Sequence, residues 1–218
     1  EDARDEYGED SFPFDPADIA VLLLTHAHID HTGLVPLLVK RGFTGPILCT
    51  SATAELATIM LPDSAHIQEQ EAEWQNRKLE RAGKKRVEPL YTIKDAERSL
   101  RQFHGTEYGK CVEILPGVTA EFSDVGHLLG SAAIEVSIIE NGETTKIVFS
   151  GDIGRNERPI LNDPQPIRAA DYLVIESTYG DRDHEFSTGV DKEAEFASVI
   201  RGALARGGNL VIPSFAVG

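Results

Sequence analysis

The stretch Thr25-His26-Ala27-His28-Ile29-Asp30-His31-Thr32-Gly33 follows directly on the apolar run Ile19 to Leu24 and concentrates four metal-ligating side chains in six positions. Neutral imidazoles and carboxylates suit a borderline divalent ion such as zinc, and a loop at a strand end lets them converge without sharing a helix face. In an extended or tightly turning segment alternate side chains point the same way. The spacing therefore pairs His26 with His28 on one ion and turns Asp30 and His31 toward a second. The competing reading, solvated or hydrogen-bonded histidines, is the commoner fate of any single His. It accounts poorly for three of the chain's seven histidines falling within six positions around an Asp. The context of strand, loop and a helix opening at Gly33 also favours the metal.

Two later segments extend the pattern. Gly126-His127-Leu128-Leu129-Gly130-Ser131-Ala132 follows the strand-like run Val118 to Phe122, and Phe149-Ser150-Gly151-Asp152-Ile153-Gly154-Arg155 follows Lys146 to Phe149. Each places a polar residue in a glycine-containing turn after a strand. Alone, either is weak, because Asp beside Gly is usually a turn former. In this order behind His-x-His-x-Asp-His, the set resembles the metallo-β-lactamase superfamily of hydrolases. The resemblance implies His127 as a third ligand of the first metal and Asp152 as a carboxylate bridging both.

A further segment narrows the branch. Tyr172 to Ile175 is a short apolar strand that runs into Glu176-Ser177-Thr178-Tyr179-Gly180-Asp181-Arg182-Asp183-His184. This is similar to a motif of the β-CASP group, the nucleic-acid-processing members. The group's role for Glu176 is a carboxylate that fixes metal ligands or a neighbouring catalytic His. His184 either orients Glu176, touches a substrate phosphate, or is a solvated turn residue. The resemblance implies a zinc-dependent ribonuclease that hydrolyses RNA phosphodiester bonds with a hydroxide activated by two Zn2+ ions. His26, His28, Asp30, His31, His127 and Asp152 would be metal ligands, and Asp30, Glu176 and His184 catalytic residues. Single-stranded RNA is the implied partner, with a homodimer or an RNA-processing complex as the assemblies to consider. The alternatives are a small-molecule thioester or lactone hydrolase of the same fold, a tRNA 3′-end nuclease, and a catalytically incomplete scaffold subunit of an RNA-processing complex.

Against the family pattern, residues 1–18 do not read as the strand pair that precedes the metal strand, and the last metal-ligand His and the leaving-group His are not found. We expect an acidic segment at 1–18 and a metallo-β-lactamase domain at 19–218, incomplete at both ends. Within it, residues 63–103 form a helical insertion and residues 208–218 lead toward a β-CASP domain. One tight metal on His26, His28 and His127, a weaker second and little turnover from this chain alone are the corresponding expectation.

Composition fits a globular chain: 41% of its 218 residues are hydrophobic, enough for one sizeable core. No apolar run approaches the roughly 18 residues of a membrane span, and the acidic start lacks a secretory pattern. Cys49 and Cys111 have no metal-type spacing and read as buried thiols in a reducing cytoplasm, with a disulfide as the alternative. The formal net charge of −15 opposes a polyanionic substrate. Its distribution weakens the objection, since residues 1–18 hold eight acids and one Arg. Residues 77–86 carry six basic side chains against one acid, and two zinc ions would add four positive charges at the site.

Strand and helix signals alternate along the chain. Strands are expected at Ile19 to Leu24, Pro46 to Cys49, Cys111 to Leu115, Val118 to Phe122, Ala133 to Ile139, Lys146 to Phe149, Asp171 to Ile175 and Leu210 to Ile212. Asn141-Gly142 should turn a hairpin. Helices are expected at Gly33 to Lys40, from a Ser51 cap through Met60, at Ser64 to Ala82, Ile93 to Phe103 and Val190 to Arg206. Together these read as an α/β fold, an αββα sandwich of two mixed sheets flanked by helices.

Overall fold

Leu22, Leu23 and Leu24 alternate between two cores, and that alternation organises the architecture. The computed structural model describes residues 12–181, 191–214 and 217. Strand β1 (Leu22–Leu23) pairs in parallel with β2 (Ile47–Thr50), which pairs in parallel with β3 (Phe103–Thr106). On one face of this sheet Leu22, Leu24, Ile47 and Cys49 pack with Val35, Leu38 and Val39 of helix α2 (Val35–Lys40) and with Phe43. On the other face Leu23 and Leu48 pack against Ala120, Phe122, Ala132, Ile134 and Val136 of a second sheet. Period-two alternation in a strand buried on both sides produces this division.

The second sheet runs in the order β4 (Val112–Leu115), β5 (Val118–Asp124), β6 (Ala132–Glu140), β7 (Glu143–Phe149), β8 (Tyr172–Val174). Its first three pairings are antiparallel and the last is parallel. The β6–β7 hairpin closes through Asn141 and Gly142, with φ of 54° and 84°, the double positive φ of a two-residue hairpin turn. The expected sandwich of two sheets is present, with one refinement: the three-stranded sheet is wholly parallel rather than mixed.

Helix boundaries depart further from the sequence reading. The two segments expected on either side of Pro62 form one helix, α3 (Ser51–Arg81), of 31 residues. A proline inside a helix removes a hydrogen bond and costs about 3 kcal/mol or more. Here Ala57, Leu61 and Ala65, fully buried at i, i+4 and i+8, pack with Leu37, Tyr91 and Ala96 and carry the helix across it. The N-cap is Thr50, whose hydroxyl accepts from the Thr53 amide, and not Ser51. Helix α4 (Ile93–Leu100) opens on a Thr92/Asp95 capping box and ends early, because Phe103 starts β3. Cys49 is buried but Cys111, next to the short strand β4, is exposed, which corrects the reading of both as buried; both thiols are free. Among the described residues no helix is long and apolar enough to cross a membrane.

Residues 177–218 make a separate compact unit. It contains helix α5 (Lys192–Ala205), capped by the Asp191 carboxylate, which accepts from the Glu193 and Ala194 amides. Leu210 to Ile212, expected as a strand, is not in a strand.

Two glycines allow the loops at the strand ends to touch. Gly151 has φ +56°, and a side chain there would meet Thr25 at 2.8 Å. At Gly154 a Cβ would overlap the carbonyl oxygen of Gly126 and lie 2.6 Å from the His127 amide nitrogen. Overpacking of a rigid backbone contact is destabilising. Gly154→Ala is expected to lower the unfolding free energy by about 2–3 kcal/mol in urea titration, since backbone on both sides must move. A loss below about 0.5 kcal/mol would show that the two loops do not touch.

Candidate metal centre

Three separate chain segments deliver the site. The first is the loop after β1, where Ala132 N donates to Thr25 O at 2.8 Å and joins the loop to the second sheet. His26 is fully buried, with Nδ1 3.1 Å from Thr25 Oγ1. His28 occupies the N-cap position of α1 (Ile29–Thr32), a single helical turn. Asp30 and His31 therefore lie on a helical turn, not in extended backbone. Thr32 holds that turn by donating from Oγ1 to the carbonyls of Ala27 (3.1 Å) and His28 (2.9 Å).

The second segment carries His127 between β5 and β6. Asp124 ends β5 and accepts from Gly126 N at 2.9 Å through Oδ1 and from Asn162 Nδ2 at 3.0 Å through Oδ2. Ser131 Oγ accepts from the His127 amide at 3.0 Å, and Arg158 donates to the His127 carbonyl at 2.9 Å. Thr50 and Thr53 at the start of α3 both donate to Gly130 O, at 2.6 and 2.9 Å. None of these supports was singled out from the sequence. Asp124, two residues before a glycine, carried the one local signal, that of an Asx turn.

The third segment places Asp152 after β7. Glu176 Oε1 accepts from the amide of Ile153, the next residue, at 2.6 Å. Glu176 N donates to Ser150 Oγ at 3.0 Å. The Glu176 carboxylate thus grips the turn that presents Asp152. His184 lies outside the described residues.

His26 Nε2 and His127 Nε2 each lie 3.1 Å from His28 Nδ1. Asp152 Oδ2 is 3.8 Å from His26 Nε2 and 3.5 Å from His127 Nε2. All four donors fall within 4.8 Å of one another. The three rings stand at 79–80° to each other, with centroids 4.9–5.1 Å apart, so three nitrogen edges face one point. Neighbouring donors around a tetrahedral divalent ion at about 2.0–2.1 Å would be separated by about 3.3 Å. Hydrogen bonding accounts for less of this geometry: His28 Nδ1 has one proton or one lone pair, so it can complete a bond with only one of its two ring neighbours. The donor set fits a metal ion.

Asp152 directs its other oxygen elsewhere. Oδ1 lies 3.3 Å from His31 Nε2, and Asp30 Oδ2 is 3.6 Å from the same nitrogen. Asp30 is largely exposed, at 74% of its side chain, against 27% for Asp152. The structure thus brings His26, His28, His127 and Asp152 to one point, with His31 beside the other oxygen of Asp152 and its ring centre 4.0 Å from that of His26. Among the described residues, the four-donor group is the only such cluster.

Burial pushes the His26 pKa down to about 3, helped by the neighbouring imidazoles of His31, His127 and His28. His127 is also lowered, chiefly by burial, with Asp152 opposing the shift. Both rings are neutral near pH 7, the form that offers a lone pair to a metal.

Family comparison agrees with this arrangement. The Metallo-beta-lactamase superfamily pattern matches residues 6–188. The chain is 34% identical over 206 residues to ribonuclease TTHA0252 of Thermus thermophilus, covering 94% of this chain and 42% of that protein. It is 32% identical over 206 residues to transcription termination factor FttA of Cenarchaeum symbiosum, covering 92% and 29%. With FttA of Methanocaldococcus jannaschii the values are 32% over 211 residues, 96% and 31%. The chain therefore spans less than half the length of each of these relatives. With its strand-end histidines, its shared aspartate and a family match over most of its length, the chain belongs to the metallo-beta-lactamase superfamily.

Proposed function

We propose that this chain is the metal-bearing part of a zinc-dependent ribonuclease of the β-CASP type. The observation that carries the reading is Asp152 standing between two sets of donors, Oδ2 toward His26 and His127 and Oδ1 toward His31. The ribonuclease name of a relative 34% identical over 206 residues supports RNA as the substrate. His26, His28, His127 and Asp152 would hold one zinc ion, and Asp30, His31 and Asp152 a second. When bound, the pair supplies the Lewis acidity that ionises water near neutral pH and offsets the charge of a phosphodiester.

The remaining steps belong to side chains of this chain. The Asp30 carboxylate, at the open side of the site, accepts the proton released by the attacking water. Asp152 keeps the two donor sets in register, and Glu176 holds the backbone on which Asp152 sits. In-line attack then forms the new P–O bond as the P–O3′ bond breaks, and the departing 3′ oxygen takes a proton from solvent, leaving a 5′-phosphate on one product and a 3′-hydroxyl on the other. His184 is proposed to orient Glu176 or to touch a substrate phosphate. Two free thiols, one of them exposed, suit a reducing cytoplasm.

In the complete protein, Asp152→Ala is expected to lower zinc-dependent RNA hydrolysis by on the order of 10³-fold, because both donor sets lose an oxygen. Cleavage of a 5′-labelled oligoribonucleotide measures it, and an unchanged rate would remove the two-metal scheme; a small thioester hydrolysed faster than RNA would move the substrate class. Glu176→Gln should weaken zinc binding by about 10- to 100-fold, read by competition with a chromophoric chelator, with little change in fold.

The His26 shift makes a separate prediction for the metal-free chain. The folded ring has a pKa of about 3 against about 6.5 unfolded, so the unfolded state takes up the proton first. Stability is full above about pH 6.5 and falls as pH drops toward 3, by at most about 1.4 kcal/mol per pH unit from this group. Urea midpoints in EDTA at about pH 7, 6 and 5 should decline. His26→Gln should flatten that decline.

A further inference from the structure

The far end of α3 carries a basic tip that the metal centre does not use. At 1.5 Å per residue, a 31-residue helix places its last turn about 45 Å from the Thr50 cap. Arg77, Lys78 and Arg81 project there, and Lys84, Lys85 and Arg86 follow within five residues; all six are exposed. The chain's one tryptophan, Trp74, lies one turn before them and is 53% exposed. Lys78 Nζ sits 3.4 Å from the centre of its ring.

The arrangement is built rather than frayed. Gly83, with φ +66°, ends the helix, and Lys84 N donates back to Leu79 O at 2.9 Å, the pattern of a glycine-stopped helix. The buried Asn76 then clamps the returning chain: its Nδ2 donates to Val87 O at 2.9 Å and its Oδ1 accepts from Val87 N at 2.7 Å. This pair of hydrogen bonds brings the chain that follows Lys84, Lys85 and Arg86 back to the residue before Arg77. Among the described residues, an ion pair engages only Arg86 of the six, with Glu80 at 3.3 Å. A net surplus of five positive charges over residues 77–86, in a chain of net charge −15, is maintained against like-charge repulsion.

We infer that this tip is an anchoring surface for single-stranded RNA, in which phosphates lie along the cations and a base stacks on Trp74. An exposed aromatic ring among cations is how sequence-tolerant single-strand binding is achieved, since every base offers a π face and every linkage a charge. The choice of RNA rests on the ribonuclease reading above. Binding at the tip does not require the metal centre, so the two can fail separately.

Trp74 reports on its own site. Titration of the zinc-loaded chain with oligouridylate, repeated in EDTA where no cleavage interferes, is expected to quench the Trp74-dependent emission, defined by difference from Trp74→Phe. Trp74→Ala should weaken binding by about 5- to 100-fold, the range for removing one base-stacking platform. The triple change Lys84→Gln, Lys85→Gln, Arg86→Gln should reduce the slope of log affinity against log salt by about 2, at about 0.7 for each single-strand phosphate no longer neutralised. Asn76→Ala retains every charge and the ring, and should weaken binding while circular dichroism shows the helix intact. Flat Trp74 emission at saturating oligonucleotide, an unchanged salt slope in the triple variant, or equal quenching by poly-glutamate would each overturn the proposal. With the complete protein, quenching with no cleavage would sustain the anchor and sink the nuclease; cleavage with no quenching would do the reverse.

Discussion

Three ring nitrogens and one carboxylate oxygen are held within 4.8 Å of one another, and they come from chain segments up to 126 positions apart, from His26 to Asp152. Hydrogen bonds alone do not satisfy this arrangement, because His28 Nδ1, with one proton or one lone pair, can complete a bond with only one of the two ring nitrogens 3.1 Å from it. Burial has already removed the charge from His26, so the group arrives prepared as a set of donors rather than as an ion pair. The two sheets, the glycine contacts and the capped start of α3 all act to keep those segments together.

The supports are shared between the site and the fold. Thr50 caps α3 and, with Thr53, also donates to the Gly130 carbonyl, so the end of β2 and the loop of His127 are joined at one buried point. Gly154 N donates to Val125 O at 2.8 Å while its missing side chain leaves room for Gly126, which ties the Asp152 turn to the same loop. Glu176 reaches back from the end of β8 to the Ile153 amide. A change at any of these positions moves a ligand without removing it, which is how residues outside a metal site alter its affinity.

Much of the donor set was legible because strand-end loops concentrate chemistry locally. His26, His28, Asp30 and His31 are near in space because they are near in sequence, and the hairpin at Asn141 and Gly142 was equally local. Helix α3 was not legible as one element. Pro62 is a local break signal, and only the buried stripe of Ala57, Leu61 and Ala65 overrides it. The exposure of Cys111 was hidden for a related reason: apolar neighbours in sequence do not show that strand β4 ends a sheet. The Asn76 clamp on Val87 likewise depends on the chain's turning back after Gly83.

By itself the sequence determined which residue types could hold a metal, the order in which they occur, the class of sheet and helix around them, and the family resemblance those motifs carry. Only the tertiary structure decided that Asp152 divides its two oxygens between His26 and His127 on one side and His31 on the other, and that the basic run beyond Trp74 is folded into a patch. The reason is physical. Ligand type is a property of each residue, whereas ligand distance is set by backbone contacts between segments far apart in the chain.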